Sequence, residues 1–98
     1  LEFLNPPIGF SALTVAYTGT AGTTANWIFG PTGVVVWSTT PCYVIVGVGV
    51  TATTVNGTPI PAYTPIPFTV PREDGSPWCV SAIQVDTAGS IYCKPVNV

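Results

Sequence analysis

Cys42-Tyr43-Val44-Ile45-Val46-Gly47-Val48-Gly49-Val50-Thr51 is the stretch that decides how this chain folds. Successive side chains of a strand point to opposite faces, and here both parities are apolar. A strand apolar on both faces is covered on both, so this stretch reads as a central strand. Gly47 and Gly49 share a face, which marks a place where a bulky side chain or a backbone comes close.

Working outward, the same material recurs in short pieces. Val (14) and Thr (15) dominate the 98 residues, with 10 Gly and 11 Pro as punctuation. β-branched residues between turn formers are what strands and short loops require. No ten-residue stretch free of Gly and Pro carries a helical apolar repeat. Toward the N-terminus, Val34 to Ser38 reads as a strand. Gly30-Pro31-Thr32-Gly33 predicts a hairpin between it and a strand at Asn26 to Phe29. Gly19 to Thr24 reads as a polar loop. Ile8 to Thr18 is a strand with Phe10, Ala12, Thr14 and Ala16 on one face and Leu13, Val15 and Tyr17 on the other. Residues 1–7 form an apolar arm (Leu1, Phe3, Leu4) set off by Pro6 and Pro7.

Toward the C-terminus, Asn56-Gly57 is a turn signal. Pro59, Pro61, Pro65, Pro67 and Pro71 follow, and proline cannot donate to a ladder, so this segment belongs at a sheet edge. Its best strand is Phe68-Thr69-Val70. Arg72 to Pro77 is a charged turn. Trp78 to Val85 and Ser90 to Lys94, joined by Asp86-Thr87-Ala88-Gly89, predict a hairpin. The whole is expected to be all-β, a single β-sandwich or small jelly roll of about seven to eight short antiparallel strands spanning residues 8–98.

Composition narrows function. Only 6% of residues are charged, where an ordinary soluble domain carries about 25%. Two cations cannot neutralise a run of phosphates, which argues against nucleic acid and against an anionic membrane surface. Val44 to Val50, the longest strongly apolar run, falls far short of the ~20 residues of a bilayer span. No basic stretch followed by an apolar run opens the chain, so no signal peptide is expected. There is no His, hence no Ser-His or Cys-His pair. Glu2, Glu73, Asp74 and Asp86 are scattered or solvated, and an Asp74–Asp86 pair is the best that carboxylate chemistry could draw on. Asp86 reads as a turn residue bonded to its own backbone. Cys42, Cys79 and Cys93 lack zinc-site spacing; they read as core thiols of a reducing compartment. No enzymatic activity, catalytic residue, metal or cofactor is expected. Sparse charge suggests instead a surface covered by neighbours. The expected contact residues are Leu1, Phe3, Leu4, Pro6 and Pro7 of the arm, which could add to a neighbour by β-augmentation, and Ile60, Tyr63 and Ile66 of the proline-rich segment. Aromatic residues could stack on sugars, but at least two of Trp27, Trp37 and Trp78 are expected in the core.

From Cys42 onward a family resemblance enters. The apolar strand is followed by Thr51-Ala52-Thr53-Thr54, the Asn-Gly turn and a proline-rich approach to Phe68-Thr69-Val70. Val80-Ser81-Ala82-Ile83-Gln84 and Thr87-Ala88-Gly89-Ser90-Ile91-Tyr92 come next. This order, over about half the chain, resembles small β-sandwich virion proteins of tailed bacteriophages. The first forty residues carry no matching pattern. The resemblance implies a head decoration (cement) protein, made in the host cytoplasm and resident on the virion capsid surface. It would be commonly trimeric, with the major capsid protein or other virion subunits as partners. The competing expectations are a phage tail, neck or fibre module, and a secreted carbohydrate-binding or adhesin domain.

Overall fold

A computed structural model describes residues 12–27, 33–70 and 77–96. The described residues form eight strands and no helix: β1 (Leu13–Tyr17), β2 (Gly22–Thr23), β3 (Gly33–Ser38), β4 (Cys42–Gly47), β5 (Thr58–Ile60), β6 (Ile66–Thr69), β7 (Cys79–Gln84) and β8 (Gly89–Val96). Two four-stranded antiparallel sheets result, in the orders β1-β8-β3-β6 and β2-β7-β4-β5. The expected all-β sandwich is therefore present.

The order has a simple origin. β1 pairs with β8, β2 with β7, β3 with β6 and β4 with β5. These pairs form one ribbon doubled back at the β4–β5 connection, with successive pairs in alternate sheets. Two more ladders, β3–β8 and β4–β7, zip the pairs of each sheet together. A doubled ribbon rolled into two facing sheets is a jelly roll.

Alternation fills the space between the sheets. Leu13, Cys93, Val36 and Ile66 lie in one cross-strand row of the first sheet, and opposed residues share a face. Cys93 and Val36 are buried, and Leu13 and Ile66 pack against the core. Cys42, Val44, Val80 and Ala82 supply the facing layer. Trp27 and Trp78 close one end, their rings stacked with centroids 4.7 Å apart and their backbones exchanging hydrogen bonds of 2.8 and 3.0 Å. Three residues lie between Thr23 and Trp27 but only two between Trp78 and Ser81. The extra residue is a bulge that ends the β2–β7 ladder.

β4 is a central strand, as its two apolar parities require, but it ends at Gly47 rather than Thr51. Val50 folds back so closely that a Cβ on Gly47 would lie 2.7 Å from Val50 Cγ1. Ala52 N donates to Ser81 Oγ (2.9 Å) on the outer face of the sheet. The expected strand thus supplies its own cover. The prolines mark edges as expected, on both sheets at once: β5 carries Pro59 and β6 carries Pro67, and each is terminal in its sheet.

Three local expectations fail. The described part of the expected Asn26–Phe29 strand, Asn26 and Trp27, does not pair with Val34 to Ser38: Trp27 bridges to Trp78, whereas β3 pairs with β6 and β8 in the other sheet. Trp78–Val85 and Ser90–Lys94 do not form a hairpin either. β7 and β8 lie in different sheets, because Val80 and Ala82 of one and Ile91 and Cys93 of the other must face each other across the core. Third, the Gly19–Thr24 loop contains the edge strand β2, with Thr24 buried.

Hydroxyls rather than ions seal the corners. Tyr17 Oη donates to the Thr40 carbonyl (2.8 Å), Ser38 Oγ donates to the same carbonyl (2.7 Å), and Thr40 Oγ1 donates to Thr87 O (3.0 Å). Ser90 N donates to Thr39 Oγ1 (3.0 Å). At the other sheet, Ser81 Oγ donates to Gly22 O (3.2 Å) and accepts from Ala52 N and Thr23 Oγ1 (3.0 Å). No buried side-chain nitrogen or oxygen among the described residues lacks a partner. Asp86 Oδ1 accepts from Thr87 Oγ1 (3.1 Å), a bond to its neighbour's side chain rather than to its own backbone.

Close approach and backbone conformation separate two glycines. A methyl at Gly22 would strike the Ala16 carbonyl, which is backbone and cannot yield, whereas a methyl at Gly49 meets nothing but sits at φ +62°. Denaturant unfolding should show Gly22→Ala destabilised by about 3 kcal/mol or more. Gly49→Ala should lose only about 1–2 kcal/mol. Equal losses would mean that β1 and β2 are not in contact.

Candidate functional site

The described residues hold little with which to do chemistry. Of the six charged side chains, Asp86 and Lys94 are described, while Glu2, Arg72, Glu73 and Asp74 lie outside. The Asp74–Asp86 pairing therefore also falls outside the described residues. No group of three or more His, Cys, Asp or Glu among the described residues could hold a metal ion. No helix there is long and apolar enough to cross a membrane.

All three cysteines are buried and free, in keeping with their reading as core thiols. Burial pushes the Cys93 thiol up to about 12, with the facing Cys42 adding to the effect. Burial also raises Cys42, partly offset by hydrogen bonds from Ser38 and Tyr17. Thiols held in the protonated form are poor nucleophiles and poor metal ligands.

The surface is more informative, and two features stand out. The first is the β4–β5 connection. Thr53 Oγ1 accepts from Val55 N (3.2 Å) and Asn56 N (3.0 Å). Asn56 Oδ1 accepts from Thr53 N (2.8 Å) while its Nδ2 donates to Thr51 O (3.1 Å). Gly57 N donates to Thr53 O (3.1 Å). Five hydrogen bonds over seven residues make a stiff turn, and it displays Val55 at 92% exposure, with Val48 also exposed on the same connection. The Asn-Gly pair announces a turn in the sequence. Nothing in the sequence says that its apolar residue points outward.

The second feature is the outer face of the β1-β8-β3-β6 sheet. Thr14, Tyr92 and Trp37 form one cross-strand row, with the Tyr92 and Trp37 rings stacked 4.5 Å apart at 18°. Tyr63 leans on Trp37 from the β5–β6 connection, 6.0 Å away at 34°. Its backbone sits at φ 56°, a left-handed conformation that costs an L-residue roughly 1–2 kcal/mol, and is held there by Tyr63 N donating to Ser38 O (2.7 Å). The ring so placed is 68% exposed. Beside this ridge lies an open groove of about 390 Å³, lined by Ala12, Leu13, Thr14, Val35, Trp37, Tyr92, Cys93 and Lys94.

The expected contact residues divide. Leu1, Phe3, Leu4, Pro6 and Pro7 lie outside the described residues. Tyr63 is on the surface as expected. Ile60 is not: it pairs with Cys42 and points into the core, 3% exposed. Ile66 pairs with Val36 and packs against the core. An edge strand in a sandwich still has an inner face, and both isoleucines lie on it. Trp27 and Trp78 are core residues, and Trp37 is the tryptophan left on an outer face. No family model, curated protein or solved structure matches the chain.

Burial of Cys93, Cys42 and Tyr17 raises all three pKa values, so the unfolded chain releases these protons first as pH rises. Stability should be level below about pH 8.5, the ordinary thiol value, and fall as pH climbs toward about 12 for Cys93. One thiol contributes a slope of about 1.4 kcal/mol per pH unit. Urea unfolding across this range should show Cys93→Ala with a shallower decline than the parent; an identical decline would remove Cys93 as a cause.

Proposed function

We propose that this chain is a non-enzymatic structural protein of a virion, a decoration (cement) protein that stabilises a phage head through subunit contacts. The observation that carries the proposal is the braced turn at residues 51–57, which holds an almost fully exposed valine on a stiff support. A soluble domain gains nothing by holding an apolar side chain rigidly in water. A docking knob does, because its ordering cost is met before binding.

Three further points support it. Charge is scarce, and stable interfaces are depleted of charge at their centres. Among the described residues every buried side-chain nitrogen and oxygen has a hydrogen-bond partner within the chain, so the core needs no covering partner to satisfy it. The resemblance to phage head proteins runs from Cys42 to Tyr92 and includes the turn itself. The jelly roll is shared by viral capsid proteins and lectins alike, so the fold adds only an analogy.

The mechanism is mass action. A protein that binds the assembled shell and not its separated parts stabilises the shell, by about 2.7 kcal/mol per site at a free concentration a hundredfold above Kd. A stable interface needs about 800 Å² from each partner, more than one turn can offer. A homotrimer presenting three turns to a symmetric shell supplies the shortfall by multivalency.

Fractionating particles from the source culture should find the chain with intact heads, at a fixed ratio to the major capsid protein. Recovery with tails would move the protein to the neck, tail or fibre, and recovery only in the particle-free supernatant would end the virion reading. Val55→Asp should be missing from heads while its unfolding free energy stays within about 0.5 kcal/mol of the parent.

A further inference from the structure

The outer aromatic face has no part in that mechanism, and its construction asks for an occupant of its own. Tyr63 is held in a strained backbone conformation between Pro61 and Pro65, yet its ring is mostly in water and adds little to the core. Strain kept where it does not serve packing is a mark of a functional site. On β1 the outward residues Thr14 and Ala16 are small and exposed, as is Ala12 just before the strand. Tyr92 stands between Thr14 and Trp37 in its row. Trp37 stacks on its ring, and both residues line the groove together with Ala12 and Thr14. The groove's 390 Å³ falls within the roughly 300–1,000 Å³ of small-ligand sites.

Exposed aromatic faces stack on two common classes of ligand, nucleobases and the C–H faces of sugar rings. Nucleic acid brings a phosphate with each base and needs cations along its path. Lys94 is the one cation among the described residues of this face, and no described carboxylate lines the groove. A mostly apolar wall whose one described charge is Lys94 suits an uncharged ligand better than a polyanion. We propose that the outer face of the β1-β8-β3-β6 sheet binds a neutral oligosaccharide, one pyranose stacking on Tyr92 in the groove and the glycan extending along the ridge toward Tyr63. The hydroxyls of Tyr92 in the groove and Tyr63 on the ridge can donate and accept hydrogen bonds to such a ligand, while Thr14 Oγ1, which already donates to Ile91 O (2.8 Å), can accept one. This inference does not rest on the shell proposal: the two concern different surfaces, and either can fail alone.

The test titrates the full chain with cellohexaose, maltohexaose, mannohexaose, xylohexaose and chitohexaose. Tryptophan fluorescence and amide shifts provide the readouts. Trp27 and Trp78 are buried and stacked on each other, so a ligand at the outer face reports through Trp37. At least one sugar should give a saturable change, with shifts confined to residues 12–14, 35–37, 63 and 92–94. Tyr92→Ala and Tyr63→Asn should each weaken binding about tenfold or more, a loss of about 1.4 kcal/mol, whereas Val55→Asp should leave it unchanged. Asn tolerates the left-handed backbone, so Tyr63→Asn should keep the parent's Tm while losing the ligand. No saturable change with any of the five sugars at millimolar concentration overturns the proposal, as does undiminished binding by both variants. Self-association that Tyr92→Ala abolishes would also overturn it, by making this face an interface between copies.

Discussion

Tyr17 Oη donates to the Thr40 carbonyl at the corner where the doubled ribbon crosses between sheets. Through Thr40 the bond reaches Ser38 at the end of β3 and Thr87 in the β7–β8 crossover. Thr39 on the same corner ties to Ser90 at the start of β8. One cluster of hydroxyls and carbonyls thus fixes the end of β1, the β3–β4 turn and the β7–β8 turn together. Each bond contributes only about 1 kcal/mol net, but leaving any buried partner unsatisfied would cost more. The placement of β8 between β1 and β3 depends on this corner. The aromatic row depends on that placement in turn, since Tyr92 and Trp37 stack only if β8 and β3 are neighbours in register.

The same dependence explains what could be read from the sequence. Parity alone puts Leu13, Val15 and Tyr17 together on one face of β1, and β4 in the middle of its sheet. Proline alone assigns β5 and β6 to edges. These are local rules, each satisfied or broken within a few residues. The two failed hairpins are of another kind. Asp86-Thr87-Ala88-Gly89 is as good a turn between paired strands as between facing ones. What decides is whether β1, seventy residues earlier, takes β8's free edge. Sequence neighbours give way to a partner that only the rolled ribbon brings near.

The surface was legible in the same partial way. Tyr63 follows from the prolines around it, which hold an aromatic residue away from a ladder. Ile60 and Ile66 share that neighbourhood but lie on strands, and strand parity turns them inward. Val55 is invisible to pattern reasoning, because Asn56-Gly57 specifies the turn and not the direction of the residue before it. The Tyr92–Trp37 pair needs the β3–β8 register, which has no local signature. Residues whose exposure follows from backbone rules were thus within reach. Those whose exposure depends on which strands become neighbours were not.

Scarce charge then takes on a second meaning beside a covered surface. Eleven of the fourteen described threonines are exposed, four on strands (Thr14, Thr23, Thr58 and Thr69) and seven in the connections, where each offers water a hydroxyl without a charge. Lysine or glutamate in their place would keep the domain soluble, but each would have to be desolvated or paired when a neighbour arrived and would give up more side-chain freedom. An exposed threonine gives up little of either. It also makes few demands on orientation, since no like charges oppose one approach over another. The surface these threonines form is therefore inexpensive to cover in ways that an ordinary charged surface is not. The specific contacts, at the braced turn and at the aromatic row, stand out against that neutral ground because they are the places where the chain fixes an apolar group in position.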